Sequence, residues 1–120
     1  MIITVVMAAS GGEFGRIADT VRLATHHFRV VHTATSLTKA MGALRKAKPR
    51  VFLMGLELPD PHDLGLIRTV QRELPTRVVV MCRTENSGAA VEALSSGATG
   101  YVLTGMASET VVRLLRAAAA

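Results

Sequence analysis

The sequence contains very little aromatic or thiol chemistry for its 120 residues. It has no tryptophan, one tyrosine, three phenylalanines and a single cysteine. One cysteine excludes an internal disulfide framework and is typical of a reducing compartment. No apolar run reaches the roughly 18–20 residues that span a membrane, and the first residues lack the charged start and cleavage site of a signal peptide. We therefore expect one soluble, cytoplasmic domain over residues 1–120, with no membrane contact.

Acidic residues are also scarce relative to basic ones. Nine Asp and Glu face fourteen Lys and Arg, which gives a net charge of +5. The densest basic cluster is Arg45, Lys46, Lys48 and Arg50, and such a cluster attracts acidic partners or nucleic acid. However, no aromatic residues alternate with these cations to form a stacking platform for bases. The favoured interpretation is a solvated helix end, and we expect no direct nucleic-acid binding by this domain.

Apolar runs of strand type alternate with segments of helical spacing along the whole chain. The most apolar run lies between Pro49 and Pro59 and predicts a strand buried on both faces. The other predicted strands are Ile2–Ala8, Phe28–Thr33, Arg77–Cys82 and Gly100–Leu103. The predicted helices are residues 13–25, 37–47, 64–74 and 89–96 and a last one after Ser108. Short loops and right-handed crossovers then predict an α/β fold with a doubly wound, five-stranded parallel sheet.

Residues typical of helix starts and helix ends flank the predicted helices. Ser36, Asp63, Asn86 or Ser87, and Ser108 stand where N-caps are expected. Gly97 stands where a helix closes.

Two stretches resemble those of a response-regulator receiver domain, over essentially the whole chain. One is Leu58-Pro59 after the third strand, and the other is Gly97-Ala98-Thr99-Gly100-Tyr101-Val102-Leu103. The resemblance is to receivers attached to helix-turn-helix transcription regulators. It implies a flavodoxin-like, three-layer α/β/α fold with strand order 2-1-3-4-5 and a pocket at the carboxyl ends of the strands.

The resemblance also implies which positions would carry the chemistry of such a domain, and here they are changed. The phospho-accepting aspartate falls on Gly55, the two acidic Mg²⁺ ligands fall on Ala8 and Ala9, the Ser or Thr ending strand four falls on Cys82, and the lysine after strand five falls on Thr104. Phosphoryl transfer requires a nucleophilic carboxylate and cations, and Mg²⁺ requires one or two carboxylates. We therefore expect a degenerate, aspartate-less pseudo-receiver without phosphorylation, catalysis, metal or cofactor.

The last helix predicts an association face. Val111, Val112, Leu114 and Leu115 give it more apolar width than one core stripe needs. Similar receivers dimerise through helix four, strand five and helix five, so a homodimer is expected there. Tyr101 corresponds to an aromatic that receivers rotate as a switch, or it is simply a half-buried strand tyrosine. An output domain that binds DNA would lie beyond residue 120, and another signalling protein is the other candidate partner.

Two further hypotheses come from other functional classes. In the first, the neutralised pocket senses a small molecule over Gly55, held by backbone amides after strand one and by the candidate residues Ser10, Gly11, Gly12, Glu57 and Arg83. In the second, Cys82 is a reactive thiol of a small enzyme or redox sensor. Arg83 is only a weak indication of a lowered thiol pKa, so Cys82 is interpreted as a small buried hydrophobe.

Overall fold

The structure, a computed structural model, describes residues 1–9, 14–56 and 61–120. Strands and helices alternate along these residues. The strands are β1 (Ile3–Ala8), β2 (Phe28–Ala34), β3 (Val51–Gly55), β4 (Arg77–Cys82) and β5 (Gly100–Leu103). The helices are α1 (Gly15–Leu23), α2 (Leu37–Ala47), α3 (Pro61–Glu73), α4 (Gly88–Ser95) and α5 (Ser108–Ala119), with a short 3₁₀ turn at Thr84–Asn86 before α4.

The five strands form one parallel sheet in the order β2-β1-β3-β4-β5, which confirms the order that the receiver resemblance implied. The register brings Ala8 opposite Met54, Gly55 opposite Met81, and Cys82 opposite Leu103. Because all pairs are parallel, the carboxyl ends of β1, β3, β4 and β5 meet at one edge of the sheet, called here the carboxyl edge. The amino ends of the strands meet at the opposite edge.

The sheet separates two apolar layers. One layer packs α1 and α5 against one face, with Ile17, Val21, Val111 and Leu115 fully or nearly fully buried. The other packs α2, α3 and α4 against the opposite face, through Leu44, Ile67 and Ala93 among others. β3 is buried along its whole length, as expected for the central strand of a sheet covered on both faces.

The helix ends agree only in part with the predicted caps. Ser36 accepts a hydrogen bond from the amide of Lys39 at 3.3 Å, which confirms it as the cap of α2. Ser87 and Ser108 do not cap: Ser87 makes no side-chain cap bond, and α5 begins at Ser108 itself, with Ala107 at the N-cap position. Likewise α3 begins at Pro61, so Asp63 lies in its first turn. Ser, Asp and Asn favour several positions near a helix start, so pattern alone places a cap only to within a residue or two.

Gly97 ends α4 with a φ of +112° and confirms the predicted stop. No helix in the described ranges has both the length and the apolar character that crossing a membrane requires.

Candidate functional site

The carboxyl edge holds four of the positions that the receiver resemblance singled out. Ala8 ends β1, Gly55 ends β3, Cys82 ends β4, and Thr104 directly follows β5. The amide of Thr104 donates to the carbonyl oxygen of Cys82 at 2.9 Å, which fixes the loop after β5 against the end of β4. The structure therefore gathers these positions at one edge, and none of them carries a carboxylate.

The space beside Gly55 is filled by the ring of Phe14. A Cβ atom built on Gly55 would lie 2.6 Å from Phe14 Cδ2, 2.7 Å from Phe14 Cε2 and 2.7 Å from Ala9 Cβ. Phe14 itself is only 2% exposed. Carbon atoms in contact prefer separations of about 3.5–4.0 Å, so any side chain at residue 55 would collide with the ring. The site is thus closed by an apolar plug, formed by Phe14 over Gly55.

Phe14 is a residue whose role the sequence did not indicate. It falls inside the predicted helix over residues 13–25, whereas it lies just before α1, at the N-cap position. Nothing in the sequence pairs residue 14 with residue 55, because the contact joins the start of α1 to the end of β3, 41 positions away. The only related signal is that Gly55 replaces a residue with a side chain in the resembling family.

The site residues divide between the two apolar layers. Ala8 and Cys82 belong to the layer of α2, α3 and α4. Phe14 belongs to the layer of α1 and α5, and Ala9 packs against that layer. The side chains of Cys82 and Phe14 therefore lie on opposite faces of the sheet.

Cys82 behaves as a buried thiol. It is fully buried, and burial raises its pKa from 9.0 to about 11. Arg83, the weak indication of a reactive thiolate, forms an ion pair with Glu85 at 2.7 Å. A hydrogen bond from the backbone amide of Glu85, together with Arg83, holds the pKa of the Glu85 carboxyl below its usual range. A thiol with this raised pKa is a poor nucleophile at neutral pH.

The two loops that follow β4 and β5 are joined by threonines. Gly105 donates its amide to Thr84 Oγ1 at 2.7 Å, and the amide of Thr84 donates to Thr104 Oγ1 at 3.2 Å. From the other side, Arg16 Nη2 on α1 donates to the carbonyl oxygens of Thr104 and Met106, both at 2.6 Å. The β5–α5 loop is consequently held from α1 and from the β4–α4 loop at once.

The candidate ligand pocket receives little support from this geometry. Ser10, Gly11, Gly12 and Glu57 lie outside the described residues, so their prediction is untested. Arg83 is exposed and paired with Glu85. Beside the plug, Met7, Ala8, Ala9 and Thr33 line a small open cavity of about 190 Å³. Among the residues that are described, no cluster of three His, Cys, Asp or Glu side chains could hold a metal.

The predicted switch and association residues fall into two groups. Val111 and Leu115 are fully buried against the sheet, so the expectation that their side chains form an association face is wrong. Val112 is half-buried, and Tyr101 is exposed at 37%. The large exposed apolar side chains on α4 and α5, the helices that precede and follow β5 in the chain, are Val91, Leu94 and Leu114.

Known proteins match this chain in sequence and in structure. The response regulator receiver domain model matches residues 16–116. The transcriptional regulatory protein LnrK of Bacillus subtilis is 29% identical over 85 residues, which are 70% of this chain and 39% of that protein. The DNA-binding transcriptional activator DevR/DosR of Mycobacterium tuberculosis is 31% identical over 75 residues, which are 62% of this chain and 35% of that protein. The matched part is thus well under half of the length of either relative.

Among solved structures, the signal receiver domain of NarL from Mycobacterium tuberculosis superposes with a TM-score of 0.82 at 23% identity, covering 98% of this chain and 95% of that one. At this identity the likeness shows the fold, which agrees with the strand order and the two helical layers found here. The family model, by contrast, covers most of the chain in sequence. The chain belongs to the response regulator receiver domain family.

Proposed function

We propose that this domain is a receiver that works without aspartyl phosphorylation and acts through contact with other proteins. The plug of Phe14 over Gly55 carries the proposal. Phosphoryl transfer requires a carboxylate nucleophile and space for the phosphoryl group. Residue 55 supplies no side chain, and the ring of Phe14 stands 2.6 Å from where one would begin. The neighbouring strand ends supply Ala8, Cys82 and Thr104, none of which is a carboxylate.

The fixed loops support the same proposal. In the resembling receivers, a Ser or Thr that ends strand four and a lysine after strand five contact the phosphoryl group, so both loops that begin there adjoin the phosphorylation site. Here these loops are bonded to each other through Thr84 and Thr104, and Arg16 holds the second one to α1. These bonds need no phosphoryl group, and they favour one constant state with Tyr101 at the surface.

The surface around Tyr101 is the proposed contact face, defined here as the α4–β5–α5 face by Val91, Leu94, Tyr101 and Leu114. Val91 is 64% exposed and Leu94 is 41% exposed. Exposed apolar side chains on neighbouring elements commonly mark association surfaces. A homodimer through this face is the proposed assembly. A role of the full protein in transcription regulation is proposed as well, and the names of the relatives LnrK and DevR/DosR support it.

The test of phosphorylation independence is a two-dimensional amide NMR spectrum of the 120-residue chain. Acetyl phosphate with Mg²⁺, or a beryllofluoride mimic with Mg²⁺, is expected to leave the amides of Gly55, Met81 and Thr104 unshifted. Intact mass measurement after acetyl phosphate is expected to show no added phosphoryl group. A receiver domain with its aspartate, treated in the same buffer, serves as the positive control. Saturable shifts around Gly55, or a mass gain of one phosphoryl group, would overturn the proposal.

A further inference from the structure

The sequence led us to expect no nucleic-acid binding by this domain, but the fold adds Arg72 and Arg77 to the four cations that are close in sequence. We therefore propose that the amino edge of the sheet is a binding surface for the phosphate backbone of duplex DNA. The surface, called here the basic edge, consists of Arg45, Lys46, Lys48, Arg50, Arg72 and Arg77. The choice of DNA among polyanions rests on the proposed role in transcription regulation, whereas the surface itself does not depend on it.

The fold brings together cations that are far apart in the sequence. Arg45, Lys46 and Lys48 end α2 and Arg50 precedes β3, while Arg72 ends α3 and Arg77 begins β4. The amide of Arg77 donates to the carbonyl oxygen of Arg50 at 2.9 Å, and Thr76 Oγ1 donates to the carbonyl oxygen of Pro49 at 2.7 Å. The two basic segments therefore lie side by side along the edge.

Acidic residues do little to neutralise this edge. Glu73 contacts Arg45 at 3.5 Å and Arg72 at 3.9 Å, so one carboxylate is shared by two guanidinium groups. Arg45 remains 60% exposed and Arg72 remains 73% exposed. Lys46, Lys48 and Arg77 are exposed and have no ion pair within the described part of the chain. Six positive charges and one negative charge thus share this edge.

The charge pattern fits phosphates better than bases. Lys and Arg neutralise phosphates and release the counterions that surround DNA. No aromatic residue lies among the six cations to stack on a base, so the surface is expected to bind duplex DNA without sequence preference. Ordinary protein partners would require an apolar centre, which these six positions do not provide.

The position of α5 supports DNA as the partner. Arg50 Nε donates to the carbonyl oxygen of Ala119, so the carboxyl end of α5 lies at the basic edge. A DNA-binding domain joined to α5 would leave the receiver beside these cations. In that arrangement the basic edge would add phosphate contacts next to the sequence-specific site.

The test is fluorescence anisotropy of the 120-residue chain with a labelled 20-base-pair duplex of arbitrary sequence, over a series of salt concentrations. The variant Lys46→Gln/Lys48→Asn/Arg77→Gln removes three unpaired cations of the basic edge, and asparagine suits the left-handed conformation of residue 48. Each phosphate contact contributes about 0.9 to the slope of log affinity against log salt, so the variant is expected to lower the magnitude of the slope by about 3.

The matched control is Lys39→Gln/Arg68→Gln/Arg113→Gln, which removes three exposed cations from other parts of the surface. It is expected to keep most of the wild-type slope. If the two variants lowered the salt slope equally, only net charge would matter, and the proposal would be overturned. An absence of binding at 50 mM salt would do the same, as would binding of polyglutamate in preference to DNA, which would indicate an acidic protein partner. None of these results depends on phosphorylation or on dimerisation.

Discussion

Among the described glycines, Gly55 and Gly105 are the two at which an added Cβ atom would lie less than 3 Å from a neighbouring side chain. Around Gly55 the neighbours are an aromatic ring and a methyl group, both held in the core. A flexible side chain can move aside at little cost, whereas a buried ring between a helix and a sheet cannot. The glycine is therefore a packing requirement of Phe14.

Substituting Gly55→Ala is expected to destabilise the domain by about 1–3 kcal/mol, the usual cost of inserting a group into a packed core. Denaturant unfolding measures this free energy. Gly42→Ala is the matched control, because a Cβ at Gly42 meets nothing within 4 Å. Since Gly42 lies inside α2, alanine there is expected to stabilise by roughly 0.5–1 kcal/mol. A neutral effect of Gly55→Ala would show that Phe14 is free to move.

Because of Cys82, the stability of the folded domain is expected to depend on pH in the alkaline range. In the folded chain burial raises the thiol pKa to about 11, against 9.0 for an exposed thiol. Between these two values the unfolded chain has lost the proton and the folded chain still holds it, so stability falls as pH rises through this window. Each pKa unit corresponds to about 1.4 kcal/mol, which limits the loss to about 2–3 kcal/mol.

The measurement is the free energy of unfolding from pH 8 to pH 11, compared with that of Cys82→Ala. The alanine variant is less stable at pH 8 because it leaves a small void. The difference between the two proteins is expected to shrink as pH rises, and Tyr and Lys titrations cancel in the comparison. A difference that stays constant up to pH 11 would contradict the raised pKa.

At the scale of elements, α1 and the β5–α5 loop are joined by one side chain. Arg16 bonds two successive regions of that loop, at Thr104 and Met106. Thr20 on the same helix lies 3.3 Å from Ser108 at the start of α5, oxygen to oxygen. These contacts make α1 the support of the loop, although the two are 88 residues apart in the chain.

Replacing Arg16→Gln is expected to lower the free energy of unfolding by about 1 kcal/mol, because bonds from a charged donor are worth about 1.5–3 kcal/mol and these are partly solvated. Amide hydrogen exchange at Gly105 and Met106 is expected to become faster. Arg113→Gln, an exposed arginine on α5 with no bond to that loop, is expected to change stability by less than about 0.5 kcal/mol. Equal effects of the two variants would show that the loop does not depend on Arg16.

At the scale of the whole molecule, the α4–β5–α5 face predicts the state of association. The variant Val91→Glu/Leu94→Glu is expected to convert a dimer into a monomer, since it places two charges in the proposed apolar contact. Light scattering during gel filtration, over a concentration series, measures the mass.

Leu23→Glu is the matched control for this prediction. Leu23 is 81% exposed, but it lies on α1, on the opposite face of the sheet from α4, which carries the two substituted residues. It is expected to leave the dimer intact. If only Leu23→Glu abolished the dimer, the interface would lie at α1 and α5 and not at the proposed face. A wild-type chain that stays monomeric would refute homodimerisation.

The sequence predicted the division into five strands and five helices, because apolar runs and helical spacing are local patterns. The strand order was predicted only through the resemblance to receiver domains. The sequence located the strand ends well enough to place Ala8, Gly55, Cys82 and Thr104. It did not predict that Phe14 covers Gly55 or that Arg72 and Arg77 join the basic edge, since both depend on tertiary contacts. It also assigned Val111 and Leu115 to the surface, because an apolar helix does not show which of its residues the sheet covers.

The plug also constrains the order in which substitutions at residues 14 and 55 could restore an aspartate. An aspartate introduced first at Gly55 meets the ring of Phe14. A small residue introduced first at residue 14 leaves a void that costs about 3–5 kcal/mol. Each single step is therefore expected to lower the free energy of unfolding, and only the two together remove the steric conflict. The order of substitutions thus matters for any change that would restore an acidic residue at the end of β3.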